Sequence, residues 1–401
     1  MKVSFDDIQK ARERLKSVVQ LTPADHSTSA SQIAGSEIYF KFENTQKTGS
    51  FKIRGAYNKI SQLSAAEKSR GVVASSAGNH AQGVALSARL MGVPSTIVMP
   101  VTAPLAKVTA TRHYGAEVVL HGEIYDEAFE KAKELERDKG LLFIPPYEDP
   151  HVIAGQGTLG LELYEQIPNL DTVVVPIGGG GLISGIGLAL KTLNPKIRVI
   201  GVQSSQAPGM HDLFHQLSVT SVPRRISTIA DGIAIKKPSK VMYENFISKY
   251  VDEIVTVSDD DIAGAIVFLL ERAKTVAEGS GAAGWAAVMN RSLKLGKTTG
   301  VLLCGGNIDL NIVSKIIERG QIKRGRLVQL SVIVEDIPGQ LHQLTRIMAE
   351  QKANIMQVHH DRVSSGLFLR ETRIDFVLET SSHEHVESIK AAIQKAGARL
   401  V

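Results

Sequence analysis

TVVVPIGGGGLISGIGLALKTL, residues 172–193, decides the fold. Its opening TVVVP is a short, nearly continuous apolar run, the pattern of a strand buried on both faces. Four glycines follow, and the remainder repeats apolar residues at helical spacing. A buried strand passing through a glycine turn into a helix is one step of a parallel α/β sheet. The turn also has chemistry. Successive glycines let backbone N–H groups converge on an anion, and the helix N-terminus adds its dipole.

The same alternation extends outward in both directions. EIYFKFE (37–43), GVVASS (71–76), STIVMP (95–100), AEVVLH (116–121), KIRVIGVQ (196–203) and GVLLC (300–304) read as further strands. Segments 79–91, 104–114, 124–138 and 153–167 carry helical periods between them. The expected architecture is therefore a mainly parallel sheet covered on both faces, with ligands at the carboxyl ends of its strands. Three Gly- or Ser-rich turns occupy that end: SSAGNHAQG, IGGGGLISG and CGGN.

Beyond Gly320 the pattern changes. LVQLSVIVED (327–336) alternates as a strand, PGQLHQLTRIMAEQ (338–351) reads as a helix opened by Pro338, and ANIMQVHHDR and FLRETRIDFVLET (368–380) read as two more strands. HEHVESIKAAIQKAG (383–397) is helical, and ARLV closes as a short strand. The order β-α-β-β-α-β over this length is that of a ferredoxin-like α+β unit. QIKRGR (321–326) is the expected linker between a domain of residues 1–320 and one of residues 327–401.

Composition narrows the class. The net charge of +5 is spread among acids, and its densest cluster, Lys323, Arg324 and Arg326, falls in the linker, which speaks against a nucleic-acid partner. No apolar run approaches the ~20 residues needed to cross a bilayer, and MKVSFDDIQKARERLK is too charged for a signal peptide, so no membrane partner is expected. Cys304 is the only cysteine; it can form no internal disulfide and fits a reducing cytoplasm. His211 and His215 could share a helical face, but no third ligand accompanies them, and adjacent residues in His359-His360-Asp361 point to opposite faces of a strand. No metal site is expected.

Lys52 lies in Thr48-Gly49-Ser50-Phe51-Lys52-Ile53-Arg54-Gly55-Ala56, after an aromatic residue, between two glycines and at the start of a segment with an apolar face. A lysine held against apolar walls loses hydration of its charged form and becomes nucleophilic enough to form a Schiff base. The phosphate implied by residues 178–181 is not that of a dinucleotide. GxGxxG needs a third glycine where Ile183 or Ser184 stands, and the following strand ends in Gln203 instead of an acid. Nor is there a Walker loop, since Gly296-Lys297-Thr298 has Arg291 at the position of its first glycine.

Taken together, the Lys52 segment, SSAGNHAQG, IAGQGTLGLE, GGGGLISG, EGSGA and LLCGGN resemble, in order and spacing, the threonine and serine dehydratases of the fold-type II pyridoxal-phosphate enzymes. The resemblance covers about residues 5–320 and implies two α/β lobes with open, mainly parallel sheets. Residues 326–401, with Glu335-Asp336-Ile337-Pro338-Gly339 at the first strand–helix turn, resemble an ACT domain. The resemblance implies that Lys52 binds pyridoxal 5′-phosphate covalently and then acts as base, with Phe51 against the cofactor pocket. It implies that Asn79 hydrogen-bonds the ring's 3′-oxygen, and that Gly178, Gly179, Gly180, Gly181 and Leu182 cradle the phosphate. Ser76, Ala77, Gly78 and His80 would receive the substrate carboxylate, and Cys304 would face the pyridine nitrogen.

Two residues bear on the reaction. Similar serine racemases have, at the position of Ala77, a serine that serves as the opposing base; a methyl group cannot accept a proton. Gln203 stands where racemases have a glutamate ligand to a divalent cation, and an amide is a poorer ligand for such an ion. The implied activity is elimination from L-threonine, giving 2-oxobutanoate and ammonia, with L-serine giving pyruvate. A β-replacement synthase and a cofactor-free amino-acid sensor are the rival readings. The resemblance further implies a role in isoleucine biosynthesis, a cytoplasmic homo-oligomer (tetramer or dimer), and an amino-acid effector, isoleucine or valine, at the C-terminal domain.

Overall fold

The computed structural model describes residues 1–218, 226–362 and 367–401. The chain packs as two units, Met1–Ile308 and Asp309–Val401.

The first unit holds two sheets. Strands β1 (Ala24–His26) and β2 (Glu37–Lys41) form an antiparallel pair. A smaller sheet follows from β3 (Val72–Ser75), β4 (Ser95–Met99), β5 (Glu117–Leu120) and β6 (Leu142–Phe143), in the order β5-β4-β3-β6 with every pairing parallel. The chain then returns to the larger sheet with β7 (Thr172–Pro176), β8 (Arg198–Ser204), β9 (Glu253–Val257) and β10 (Thr298–Leu302). Its order is β1-β2-β10-β7-β8-β9, parallel except at the β1 edge. All five residues of β7 are buried, as its unbroken apolar run requires. Seven of these strands were expected; β1, β6 and β9 are additions, and β1 and β6 are too short to carry a periodicity.

The second unit is an antiparallel sheet with the order β12-β13-β11-β14, built from β11 (Leu327–Glu335), β12 (Asn354–Asp361), β13 (Glu371–Glu379) and β14 (Arg399–Leu400). Helices Gln340–Glu350 and His383–Lys395 complete the β-α-β-β-α-β order. On β13, Thr372, Ile374, Phe376 and Leu378 are buried, the alternation of a sheet covered on one face. Two expectations are corrected here. The helix expected to open at Pro338 begins at Gln340, because Gly339 takes a φ of +100°, open to glycine, to turn the chain into it. Residues 321–323 of the expected linker are the last turn of helix Leu310–Lys323, which belongs to this unit; the helix exit is made at Gly325, with φ +63°.

A buried charge network locks the larger lobe. Arg54 donates through Nε to Glu43 (2.9 Å) and through Nη1 and Nη2 to Glu162 (2.6 and 3.0 Å). Lys41 spends its three donors on Glu162 (2.6 Å), the Thr22 carbonyl (2.7 Å) and Gln166 (2.8 Å). Two cations and two anions balance with their hydrogen bonds filled, which makes burial tolerable. Burial still weakens the hold of Lys41 on its proton, and Glu162 opposes that. Removing one member leaves a buried charge unpaired. Lys41→Met should lower the unfolding free energy by about 3–5 kcal/mol, read in urea by fluorescence of Trp285, the only tryptophan; unaltered stability would contradict the assignment.

Candidate active site

The site is assembled at the carboxyl ends of β3, β7 and β10. Ser50 forms an isolated bridge with Gly305, and the Phe51 N–H donates to the Cys304 carbonyl (3.2 Å), tying the start of helix Lys52–Ser61 to the end of β10. Helix Asn79–Leu90 crosses it so closely that a Cβ on Gly83 would lie 3.0 Å from the Lys52 carbonyl carbon. Lys52 therefore enters a cavity of about 670 Å³ from a fixed backbone, a volume suited to a small ligand with a cofactor. Phe51, Ser76, Ala77, Gly78, Asn79, His80, Gly178, Gly179, Gly180, Gly181, Leu182 and Cys304 all line this cavity with Lys52.

The Lys52 Nζ donates to the Pro146 carbonyl (3.2 Å) and lies 5.1 Å from the centre of the Phe51 ring. Burial lowers its pKa to about 8, against the opposing influence of Cys304 and Glu278. Near neutral pH a minor fraction of the amine is neutral, far larger than for a solvated lysine, as a nucleophilic amine requires. The Cys304 thiol is driven well above its ordinary range, first by burial and then by Glu278, so it stays protonated. It donates weakly to the Ser280 carbonyl (3.5 Å). His80 donates from Nε2 to the Ile144 carbonyl (2.8 Å), and burial together with the Lys52 charge lowers its pKa to about 3. It is a neutral, orienting imidazole. The Ser76 hydroxyl accepts from the Gly78 N–H (3.2 Å), shaping the loop before Asn79.

Gly180 has φ +94° and leads into helix Gly181–Leu193, whose first bond back to the loop is Ser184 N–H to the Gly180 carbonyl. Among the described residues, the N–H groups of Gly178, Gly179, Gly180, Gly181 and Leu182 have no hydrogen-bond partner in the protein, the condition of an anion cradle. Side chains are excluded there. A Cβ on Gly181 would meet Tyr147 backbone at 3.0 Å, and one on Gly179 would strike the Tyr147 ring at 2.3 Å.

Several lining residues escaped the sequence reading. Glu278 accepts from Asn79 Nδ2 (2.6 Å), and Asn307 donates to Asn79 Oδ1 (2.8 Å) and to the Thr48 carbonyl (2.8 Å). Tyr147 backs the glycine loop. At the mouth, Lys107 pairs with Asp231 (3.0 Å) and Lys236 with Asp126 (2.6 Å). EGSGA contained Glu278 and LLCGGN contained Asn307, without a role for either; the others depend on segments distant in sequence. The His211 and His215 rings stack 4.5 Å apart outside the cavity, and no cluster able to hold a metal occurs among the described residues.

A desolvated lysine, a loop of unpaired backbone N–H donors and a neutral thiol in one cavity fit an enzyme that works through a carbonyl cofactor anchored by a phosphate. Residues 15–305 match the family described as pyridoxal-phosphate dependent enzyme, and residues 328–398 match the ACT domain. An L-threonine ammonia-lyase of Thermotoga maritima is 49% identical over 395 residues, 98% of each chain. The structure of maize serine racemase is 34% identical with a TM-score of 0.74, covering 80% of this chain and 99% of that one. A threonine deaminase isoform from Solanum lycopersicum gives 34% and 0.73, covering 80% and 91%. The chain belongs to the pyridoxal-phosphate dependent enzymes and carries a C-terminal ACT domain.

If the glycine loop is the phosphate site, Gly181→Ala should weaken pyridoxal-phosphate binding by about tenfold or more, ~1.4 kcal/mol, in an absorbance titration. Undiminished affinity would place the phosphate elsewhere.

Proposed function

We propose that the protein is a threonine ammonia-lyase, converting L-threonine to 2-oxobutanoate and ammonia and L-serine to pyruvate. The observation that carries this reading is the Lys52 amine in one cavity with the glycine loop and Ala77. The full-length likeness to a threonine ammonia-lyase supports the substrate.

Bound pyridoxal phosphate supplies a conjugated electron sink for the charge that develops at the substrate Cα. The chain's residues do the rest. N–H groups of Gly178, Gly179, Gly180, Gly181 and Leu182 would hold the phosphate, and Asn79 would meet the ring's 3′-oxygen. Phe51 would pack beside the ring, and Cys304 would offer the pyridine nitrogen a neutral thiol, which could not stabilise a positive charge there. Ser76, Ala77, Gly78 and His80 would receive the substrate carboxylate. The Lys52 amine removes the Cα proton as general base, and the β-hydroxyl leaves with a proton as water. Ala77 offers no second base on the other side, so inversion at Cα by a two-base route is disfavoured even on a scaffold shared with a serine racemase.

For the ACT domain we propose an amino-acid effector, isoleucine or valine, acting in a homo-oligomer, a tetramer or dimer. The turn at Asp336, Ile337, Pro338 and Gly339 supports it, since free N–H groups at the start of helix Gln340–Glu350 suit a carboxylate. This assignment gives the enzyme a place in isoleucine biosynthesis. A cytoplasmic setting is supported by a lone, buried cysteine.

Purified protein loaded with pyridoxal phosphate should form 2-oxobutanoate from L-threonine, with turnover rising as pH passes through about 8 and Lys52 loses its proton. Lys52→Ala should abolish the visible cofactor band and cut turnover by at least about 10²–10⁴-fold; retention of both would sink the reading. Isoleucine should change the turnover of the full chain and raise its melting temperature. No effect of isoleucine or valine on either would remove the effector assignment.

A further inference from the structure

Glu278 occupies the N-cap position of helix Gly279–Met289, where an acidic side chain ordinarily turns back to accept the helix's free N–H groups. It makes no such bond. Its backbone N–H donates to the Gly305 carbonyl, and its side chain, 5% exposed, lines the cavity with Oε1 accepting from Asn79. Space has been cleared for it, because a Cβ on Gly305 would lie 2.4 Å from that oxygen. The Asn79 amide is thus held from both ends. Asn307, itself tied to the Thr48 carbonyl, donates to its oxygen, and Glu278 accepts from its nitrogen.

We propose that Glu278 is a positioning residue for the elimination: it aims the Asn79 amide into the cavity and, by taking up or releasing a proton, sets the protonation state of the Lys52 amine. The inference rests on the reading of Lys52 as the acting base. Glu278 and Lys52 line the same cavity, where the carboxylate favours the charged form of Lys52 and the ammonium the charged form of Glu278. Burial, followed by Asp231, raises Glu278 to about 7, while Lys107, the Asn79 hydrogen bond and Lys52 hold it from rising further. Of the other titratable groups in the cavity, Cys304 stays protonated and His80, lowered by burial and by the Lys52 charge, stays neutral. Two groups at about 7 and about 8 in one cavity titrate as a coupled pair. At high pH the pair is carboxylate and free amine. The first proton taken up on acidification goes mainly to Lys52, whose ammonium the carboxylate stabilises, and the second to Glu278. Without the carboxylate, the Lys52 amine stays free to a lower pH.

The test is the pH profile of turnover with L-threonine for the holoenzyme and its Glu278→Gln variant. The glutamine oxygen still accepts from Asn79, so the variant keeps the orientation and loses only the titration. The acid limb should move to lower pH by about one unit, the size of effect a nearby opposite charge exerts, and its second step near pH 7 should disappear. An unshifted profile in a variant that still makes 2-oxobutanoate would overturn the proposal. No 2-oxobutanoate from the wild type would instead overturn the lyase reading. An infrared pH titration of the wild-type protein decides the matter even if the variant does not fold. A protonated carboxyl band lost as pH rises through about 7 is expected, and its absence would overturn the proposal too.

Discussion

Everything the cavity does depends on holding one short helix, Lys52–Ser61, in backbone contact with its neighbours on two sides. Gly83 leaves no room for a methyl group against Lys52, and a Cβ on Gly155 would lie 2.5 Å from the Arg54 carbonyl oxygen. Between these contacts the Arg54 guanidinium is gripped by Glu43 and Glu162, and Lys41 completes the charge balance. A lysine side chain has four rotatable carbons and would normally extend to water. Here its backbone cannot move away, and the amine is left in a partly dehydrated cavity where burial outweighs the influence of Glu278. The lowered pKa and the position of the amine in the cavity both follow from that restraint.

The polar groups at and behind the cavity wall are organised in series. Thr48, Asn307, Asn79 and Glu278 come from four separate stretches of chain, yet each is bonded to the next. An asparagine amide at the start of a helix can turn in either sense. Fixing it from both ends selects one orientation, with no rearrangement needed when a ligand arrives.

How much of this could be read from the chain alone follows from what each feature depends on. Lys52, the glycine loop and the Ser76 to His80 turn were legible because each is a local pattern. An apolar strand, a run of small residues and a helix start occur in unbroken sequence, and the local geometry dictates the chemistry. Glu278, Asn307 and Tyr147 were not assigned roles, because their partners lie far away in sequence and only packing brings them together. The ion pairs Lys107–Asp231 and Lys236–Asp126 were invisible for the same reason. In the C-terminal unit the alternation on β11 and β13 was plain, whereas the helix start was misplaced by two residues. Proline at a first turn is a common signal, but here Gly339 supplies the turn by adopting a positive φ.

The central claim is that Lys52, and no other of the chain's lysines, carries the cofactor. The most direct measurement is borohydride reduction of the pyridoxal-phosphate-loaded protein, followed by digestion and mass mapping of the labelled peptide. The account predicts one stoichiometric, reduction-fixed pyridoxyl phosphate on the peptide containing Phe51, Lys52 and Ile53. Label on a different lysine, or none retained after reduction, would contradict it.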